Sequence, residues 1–245
     1  MPRFFIDDNQ INGSSVTLTG DNAAHIGYSL RMRIGEKITV CTPDAIAHLC
    51  EITSISADTV EAKILSSEAS GSEPPYFARL FMALPKGDKM EYVIQKSVEC
   101  GVSQIIPFES ERTIVRLDAK TAAKKRERYQ KIAEAAASQC GRGIIPEVTM
   151  PLRYREAIAM AARSPLAFMC WEDEKAVSLP ALIKGAPDRS DISFIVGAEG
   201  GISKSEAEEA KALGIKTVTL GERILRCESA PPFVLACLSC LLELD

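Results

Sequence analysis

Apolar and polar residues alternate with period two in the first third of the chain and switch to helical spacing beyond it. Ile38 and Val40 stand between polar neighbours, as do Val60, Ala62 and Ile64, and Pro43-Asp44 supplies a turn between such pieces. That is the pattern of short half-buried strands, and it predicts a small β-barrel over residues 1–70. The stretch Ser66–Pro75 (SSEASGSEPP) has no apolar period and two prolines, so it is read as a linker.

After it, Leu80–Leu84 is an apolar run ending at Pro85. Asp88 is placed to cap a helix whose Met90, Val93, Ile94 and Val98 share one face, with Gly101 at its stop. Val102–Phe108 reads as a strand, and Thr121–Cys140 as a long helix with Tyr129, Ile132, Ala133 and Ala136 as its stripe. Strands are expected at Leu166–Cys170, Ile192–Val196 and Thr217–Leu220. Ser203 and Glu206 form a capping box for a helix that Gly214 closes. The alternation predicts an α/β domain over 76–245 with a mostly parallel sheet covered on both faces. Ligands of such sheets bind past the carboxyl ends of the strands. The two loops there with unusual composition are Gly197–Ser203 (GAEGGIS) and Leu220–Ala230 (LGERILRCESA).

Composition narrows the class. Of 245 residues 46% are apolar and 25% charged, as in a soluble, core-forming protein. No apolar run is long enough for a membrane span, and the N-terminus MPRFFIDDNQ lacks the apolar stretch of a signal peptide. Eight cysteines without an export signal read as reduced thiols, so a cytoplasmic location is expected. The net charge of −4 is unevenly spread. Between Arg112 and Lys131 eight basic residues face two acids, a local balance of +6 against −10 for the rest. Such a run is either a solvated helix face or the footprint of a polyanion site. On the second reading Lys124, Lys125 and Arg128 contact phosphates, and Arg3, Arg31 and Arg33 of the barrel extend the track.

Most motif chemistry is missing. Gly197, Gly200 and Gly201 permit either close approach of a flat ligand or a tight turn, and their spacing is not that of a dinucleotide fingerprint. Cys237 and Cys240 form a CxxC inside the apolar segment Phe233–Leu244, with no second pair of zinc ligands, so they read as packing thiols and no metal is expected. His25 and His48 have no partner at triad spacing.

The two loops taken together are more specific. GAEGGIS followed by LGERILRCESA resembles the signature of the RsmE family of 16S rRNA (uracil-N3)-methyltransferases, in the SPOUT or trefoil-knot superfamily. The likeness extends to KGDKME from Lys86, QKSVECGV from Gln95, SQCGR from Ser138, the N-terminal PRFF, and HIGYSLRMRIG from His25. Ala198 stands where the family usually has proline, Ser229 where it has threonine, and Gln139 lacks the usual preceding glutamate. Pro231-Pro232 after the signature is also less usual.

The resemblance implies a PUA-like, RNA-binding β-barrel over 1–70 and a SPOUT methyltransferase domain over 76–245 with a C-terminal trefoil knot. No apolar pattern could have announced the knot, since chains are ordinarily unthreaded. It implies S-adenosyl-L-methionine as cofactor, held by Trp171 and Glu172, by Gly197, Gly200 and Gly201, and by Leu220, Gly221, Ile224, Leu225 and Arg226. It implies a homodimer acting on 16S rRNA, within a small-subunit particle. Methylation at uracil N3 needs the proton removed and the resulting anion stabilised. Glu199 is the expected base, and Lys96 and Arg142 the expected cations beside the target base. Two rivals stay open: a SPOUT enzyme for a ribose hydroxyl, and a non-catalytic RNA-binding assembly protein. The Phe233–Leu244 helix is apolar in nearly every direction and is expected to be buried all round, within its domain or against a second copy.

Overall fold

The computed structural model describes residues 1–244; Asp245, the last residue of the expected second domain, lies outside them. Two compact units are present, one of Met1–Glu73 with Ala137–Ile145 and one of Pro74–Ala136 with the chain from Pro146 onward. The segment Ala137–Ile145 therefore packs with the first unit and not with the domain that surrounds it in sequence. The reason is polar. Ser138 Oγ donates to Arg3 O at 3.1 Å, Arg3 Nη1 donates to Arg142 O at 3.0 Å, and the Arg142 guanidinium pairs with Glu73.

The first unit comprises β1 (Arg3–Phe5), β2 (Ile11–Asn12), β3 (Ser15–Thr19), α1 (Gly20–Ala24, running on into a wider turn over His25–Ser29), β4 (Lys37–Cys41), β5 (Ile46–Ile55) and β6 (Thr59–Ala69). They form one six-stranded sheet ordered β1-β4-β5-β6-β3-β2, with β1 parallel to β4 and every other pair antiparallel. Val16, Leu18, Ile38, Val40, Cys50, Ile52, Val60 and Ala62 fill its core, on the alternation the pattern predicts. At Pro43-Asp44 the turn is fastened by Thr42 Oγ1 donating to Asp44 Oδ1 at 2.6 Å. The linker expectation needs correction. Ser66, Ser67, Glu68 and Ala69 pair with Leu49, His48, Ala47 and Ile46, so only residues 70–75 are irregular. Their side chains face solvent, so backbone pairing holds the strand end without any apolar alternation to announce it.

The second unit comprises β7 (Phe77–Ala83), α2 (Lys89–Glu99), β8 (Gln104–Glu109), α3 (Ala119–Cys140), β9 (Glu147–Val148), β10 (Leu152–Arg153), α4 (Tyr154–Ala161), β11 (Leu166–Cys170), α5 (Leu179–Gly185), β12 (Asp191–Val196), α6 (Lys204–Ala212), β13 (Lys216–Val218) and α7 (Ala230–Leu242). Its sheet is ordered β10-β8-β7-β12-β11-β13, with β9 beside β8, and all pairs are parallel. The central strands are buried on both faces, which is why they read as unbroken apolar runs. Helix α3 starts two residues before the expected position because Asp118 Oδ1 accepts from Thr121 N at 2.8 Å. Its buried stripe is Ala122, Tyr129, Ala133, Ala136 and Ala137, while Ile132 is only half-buried.

Helix α7 opens three residues early, with Pro231 and Pro232 in its first turn, where proline has no amide to lose. Within one chain it is not buried all round. Val234, Leu235 and Leu238 are enclosed, whereas Phe233, Ala236 and Cys240 are exposed along one side. No helix among the described residues is long and apolar enough to cross a membrane.

Candidate active site

Three neighbouring strands, β12, β11 and β13, end at the same edge of the parallel sheet. The loops that follow them enclose a cavity of about 290 Å³ lined by Trp171 and Glu172, Gly197 to Glu199 with Gly201, and Leu220 to Glu228. This is the carboxyl edge where such sheets bind ligands.

The glycines are set by geometry. A Cβ on Gly197 would stand 2.8 Å from the carbonyl carbon of Gly201, a backbone atom that has no way to yield. Gly201 has φ +66°, and its amide donates to Ala198 O at 2.9 Å, closing the turn. Gly221 has φ +109°, in the left-handed region that side chains avoid. Trp171 is fixed from two sides: its amide donates to Val218 O at 3.1 Å and its Nε1 to Ile202 O at 3.3 Å. Lys211 lies 4.8 Å from the centre of the same ring.

The cleft also holds a charged cluster. Lys89 Nζ is 2.8 Å from Glu199 Oε1 and 3.8 Å from Glu228 Oε2, and the Lys86 amide donates to Glu199 at 3.1 Å. Burial alone would raise the Glu199 carboxyl, but the hydrogen bonds from Lys89 and the backbone outweigh it and hold the group below the usual carboxylate range. The same bond, donated to Glu199, raises the Lys89 ammonium. Cys227, on the wall of the cleft, is pushed up to about 12 by burial and by its bond to Glu228.

Of the sequence-predicted site residues, the structure brings Trp171, Glu172, Gly197, Glu199, Gly201, Leu220, Gly221, Ile224, Leu225 and Arg226 to one cleft. Gly200 does not line it; its carbonyl accepts from Arg112 Nη1 at 2.9 Å. Lys96 and Arg142 are not on the cleft wall. Lys96 pairs with Glu99 at 2.8 Å on α2, and Arg142 belongs to the other unit, its side chain 4% exposed.

Sequence reasoning missed Lys89, although it lies within the KGDKME segment. A signal existed: a lysine opening a helix opposes the helix dipole, and such a placement implies a carboxylate partner from elsewhere.

The basic run is partly committed to structure. Arg116 donates to Ser110 O, Arg126 to Val148 O at 3.0 Å, and Arg128 pairs with Glu91 at 2.7 Å. The Lys125 ammonium sits 5.8 Å from the centre of the Tyr129 ring, and Lys124 is solvent-facing. In the first unit Arg3 is half-buried against Arg142, while Arg31, with φ +52°, and Arg33 are exposed.

Comparison with known proteins agrees with this architecture. The family described as RNA methyltransferase domain matches residues 72–239, and the family described as RNA methyltransferase PUA domain matches 18–65. The ribosomal RNA small subunit methyltransferase E of Bacillus subtilis is 33% identical over 251 residues, covering 100% of this chain and 98% of that protein. The chain belongs to the ribosomal RNA small subunit methyltransferase E family. A second member, from Mesomycoplasma hyopneumoniae, is 30% identical over 96% of this chain and 97% of its own length. The crystal structure of the Neisseria gonorrhoeae member bound to S-adenosyl methionine superposes with a TM-score of 0.87 at 35% identity, covering 98% of both chains.

Proposed function

We propose that this protein methylates N3 of a uridine in 16S ribosomal RNA, using S-adenosyl-L-methionine. The observation that carries the reading is the glycine-walled cleft at the ends of β11, β12 and β13, in a chain of this family. Its glycine walls suit close approach of a flat group such as the adenine ring of the cofactor. A side chain at 197 would close the space between the two glycines, and Leu220 to Arg226 also line the cleft. The cofactor, when bound, supplies an activated methyl group on a sulfonium, so no metal or covalent enzyme intermediate is called for.

What the chain supplies is position and charge. Glu199 is the proposed acceptor of the uracil N3 proton, with its carboxylate aimed by Lys86 N and Lys89 Nζ. Loss of that proton spreads negative charge over the uracil carbonyl oxygens, and a fixed cation beside them lowers the barrier. The sequence nominated Lys96 and Arg142 for that charge. Because neither lines the cleft, the proposal gives it to Lys89.

The exposed Arg31 and Arg33 of the PUA unit and Lys124 of α3 are the proposed phosphate contacts. The exposed apolar side of α7 supports a homodimer. Action on a small-subunit particle in the cytoplasm completes the reading.

The test is mass mapping of methylated nucleotides in rRNA from a deletion strain, with and without complementation. Loss and restoration of one N3-methyluridine is expected. Loss of a ribose methyl would instead make this a 2′-O enzyme, and an unchanged methylation map would make it an RNA-binding protein.

A further inference from the structure

Arg112 opens the basic run, so charge counting assigns it to the RNA. Its surroundings say otherwise. The guanidinium donates through Nη1 to the carbonyl of Gly200 at 2.9 Å. The contact is close along the whole side chain, since a Cβ on Gly200 would stand 2.9 Å from Arg112 Cβ and 3.5 Å from its Cδ. Position 200 is therefore a glycine because Arg112 lies across it. A second latch lies one residue away. Glu111 N donates to Glu206 Oε1 at 2.7 Å, and Ser203 Oγ donates to Glu111 Oε2 at 2.6 Å. Glu206 in turn accepts from Ser203 N at 3.0 Å and is buried. The loop Gly197–Ser203 is thus tied to the irregular segment after β8 at two points, its middle by Arg112 and its C-terminal end by Glu111.

We propose that Arg112 is a positioning residue for the cofactor loop, holding it at Gly200 between the residues that line the cleft, and is not a phosphate ligand. The proposal rests on the reading of the cleft as the S-adenosylmethionine site. Two adjacent residues grip a loop whose shape depends on three glycines, and glycines leave that loop conformationally free unless something outside it restrains them. A guanidinium suits the task because it offers several donors in a fixed plane and stays charged at every working pH.

The experiment compares wild type with Arg112→Ala, Arg112→Lys and Gly200→Ala, measuring S-adenosylmethionine binding by titration calorimetry and binding of a 16S rRNA transcript across a salt series. Circular dichroism melts establish that each variant is folded, which the intact Glu111–Ser203–Glu206 latch favours. Arg112→Ala is expected to weaken S-adenosylmethionine roughly tenfold, about the value of one charge-assisted hydrogen bond at an exposed site. Gly200→Ala should do the same by pushing Arg112 away, and Arg112→Lys should recover part of the loss. The salt dependence of RNA binding should match wild type in all three.

Wild-type cofactor affinity in Arg112→Ala would overturn the proposal. So would a salt slope flattened by about 0.7–0.9, the signature of one lost phosphate contact. A wild-type chain that binds no S-adenosylmethionine would overturn both the proposal and the cleft reading beneath it, and so is distinct from a failure of Arg112 alone.

Discussion

The carboxylate of Glu73 accepts from Arg142 Nη2 at 2.5 Å, and the same carboxylate takes the amides of Gly143 at 2.9 Å and Ile144 at 3.3 Å. One side chain thereby fastens a whole turn, and the Arg142 side chain is nearly enclosed in doing so. Removing the carboxylate takes its ion pair from an enclosed guanidinium and its acceptor from two amides, which costs about 3 kcal/mol. Glu73→Ala is expected to lower the urea-unfolding free energy by that amount, and a loss below about 1 kcal/mol would refute the role. Arg142→Met then separates two functions. If it loses turnover while melting like wild type, Arg142 acts on the RNA as the sequence suggested; if stability falls and turnover per folded molecule holds, its work is structural.

Two glycines of the cleft should differ in kind. Gly197→Ala places a methyl 2.8 Å from backbone that is closed by its own hydrogen bond, so the loop must deform. Gly221→Ala meets open space and costs only the left-handed backbone conformation, about 1–2 kcal/mol. Calorimetry should show S-adenosylmethionine binding abolished in the first and weakened about tenfold in the second. Equal losses would mean that the space beside Gly197 is not part of the site.

Glu199 carries a pH prediction. Its folded carboxyl lies below the ordinary value, so its ion pair is fully present above about pH 4.3 and is lost only as pH falls through the lowered value. Lys89, shifted upward, stays charged until pH rises through its own raised value. Between pH 6 and 8 neither group titrates. Glu199→Gln should therefore reduce single-turnover methyl transfer by about a hundredfold or more, equally across that range. A deficit that changes with pH there would show Glu199 titrating within it and contradict the assigned environment.

The legible parts of this protein are those where one residue's environment is set by its near neighbours. The strands β11 and β12 are apolar on both faces, and Ser203 with Glu206 makes the capping box locally, so each was readable from a few letters. The illegible parts depend on partners far away in sequence. Ser66–Ala69 is a strand only because β5 lies alongside it. Lys89 matters through Glu199, and Arg112 through Gly200. The two cleft loops stood out by composition, and the resemblance to a family joined them; that three consecutive sheet positions bring them together follows from strand order, which no local pattern encodes.

The basic run should carry less RNA affinity than its charge count suggests. Arg128 is paired with Glu91, and Lys125 leans on Tyr129, leaving Lys124 as the most available cation of the three. Replacing Lys124, Lys125 and Arg128 by alanine should reduce the salt slope of RNA binding by about one unit, not the two or three that three independent phosphate contacts would remove. An unchanged slope would make the run a solvated face. A loss near three units would mean that Arg128 leaves Glu91 for phosphate on binding.

Helix α7 exposes Phe233, Ala236 and Cys240, spaced three to four residues apart, while its other side packs Val234, Leu235 and Leu238 into the core. An apolar stripe with both faces of one helix committed to burial, and only one of them covered, implies that something covers the second. A second copy of the chain is the proposed cover, and light scattering at micromolar concentration should give twice the 26.6 kDa chain mass. Phe233→Asp places a charge on that stripe and should shift the mass to the monomer without unfolding the chain, since residue 233 is exposed within one copy. The exposed thiol of Cys240 gives an independent check. In the dimer it should react slowly with iodoacetamide, and in Phe233→Asp quickly, while Cys227, its thiol pushed up to about 12, should stay unlabelled in both. A wild-type monomer with a readily labelled Cys240 would leave the stripe uncovered and the dimer proposal refuted.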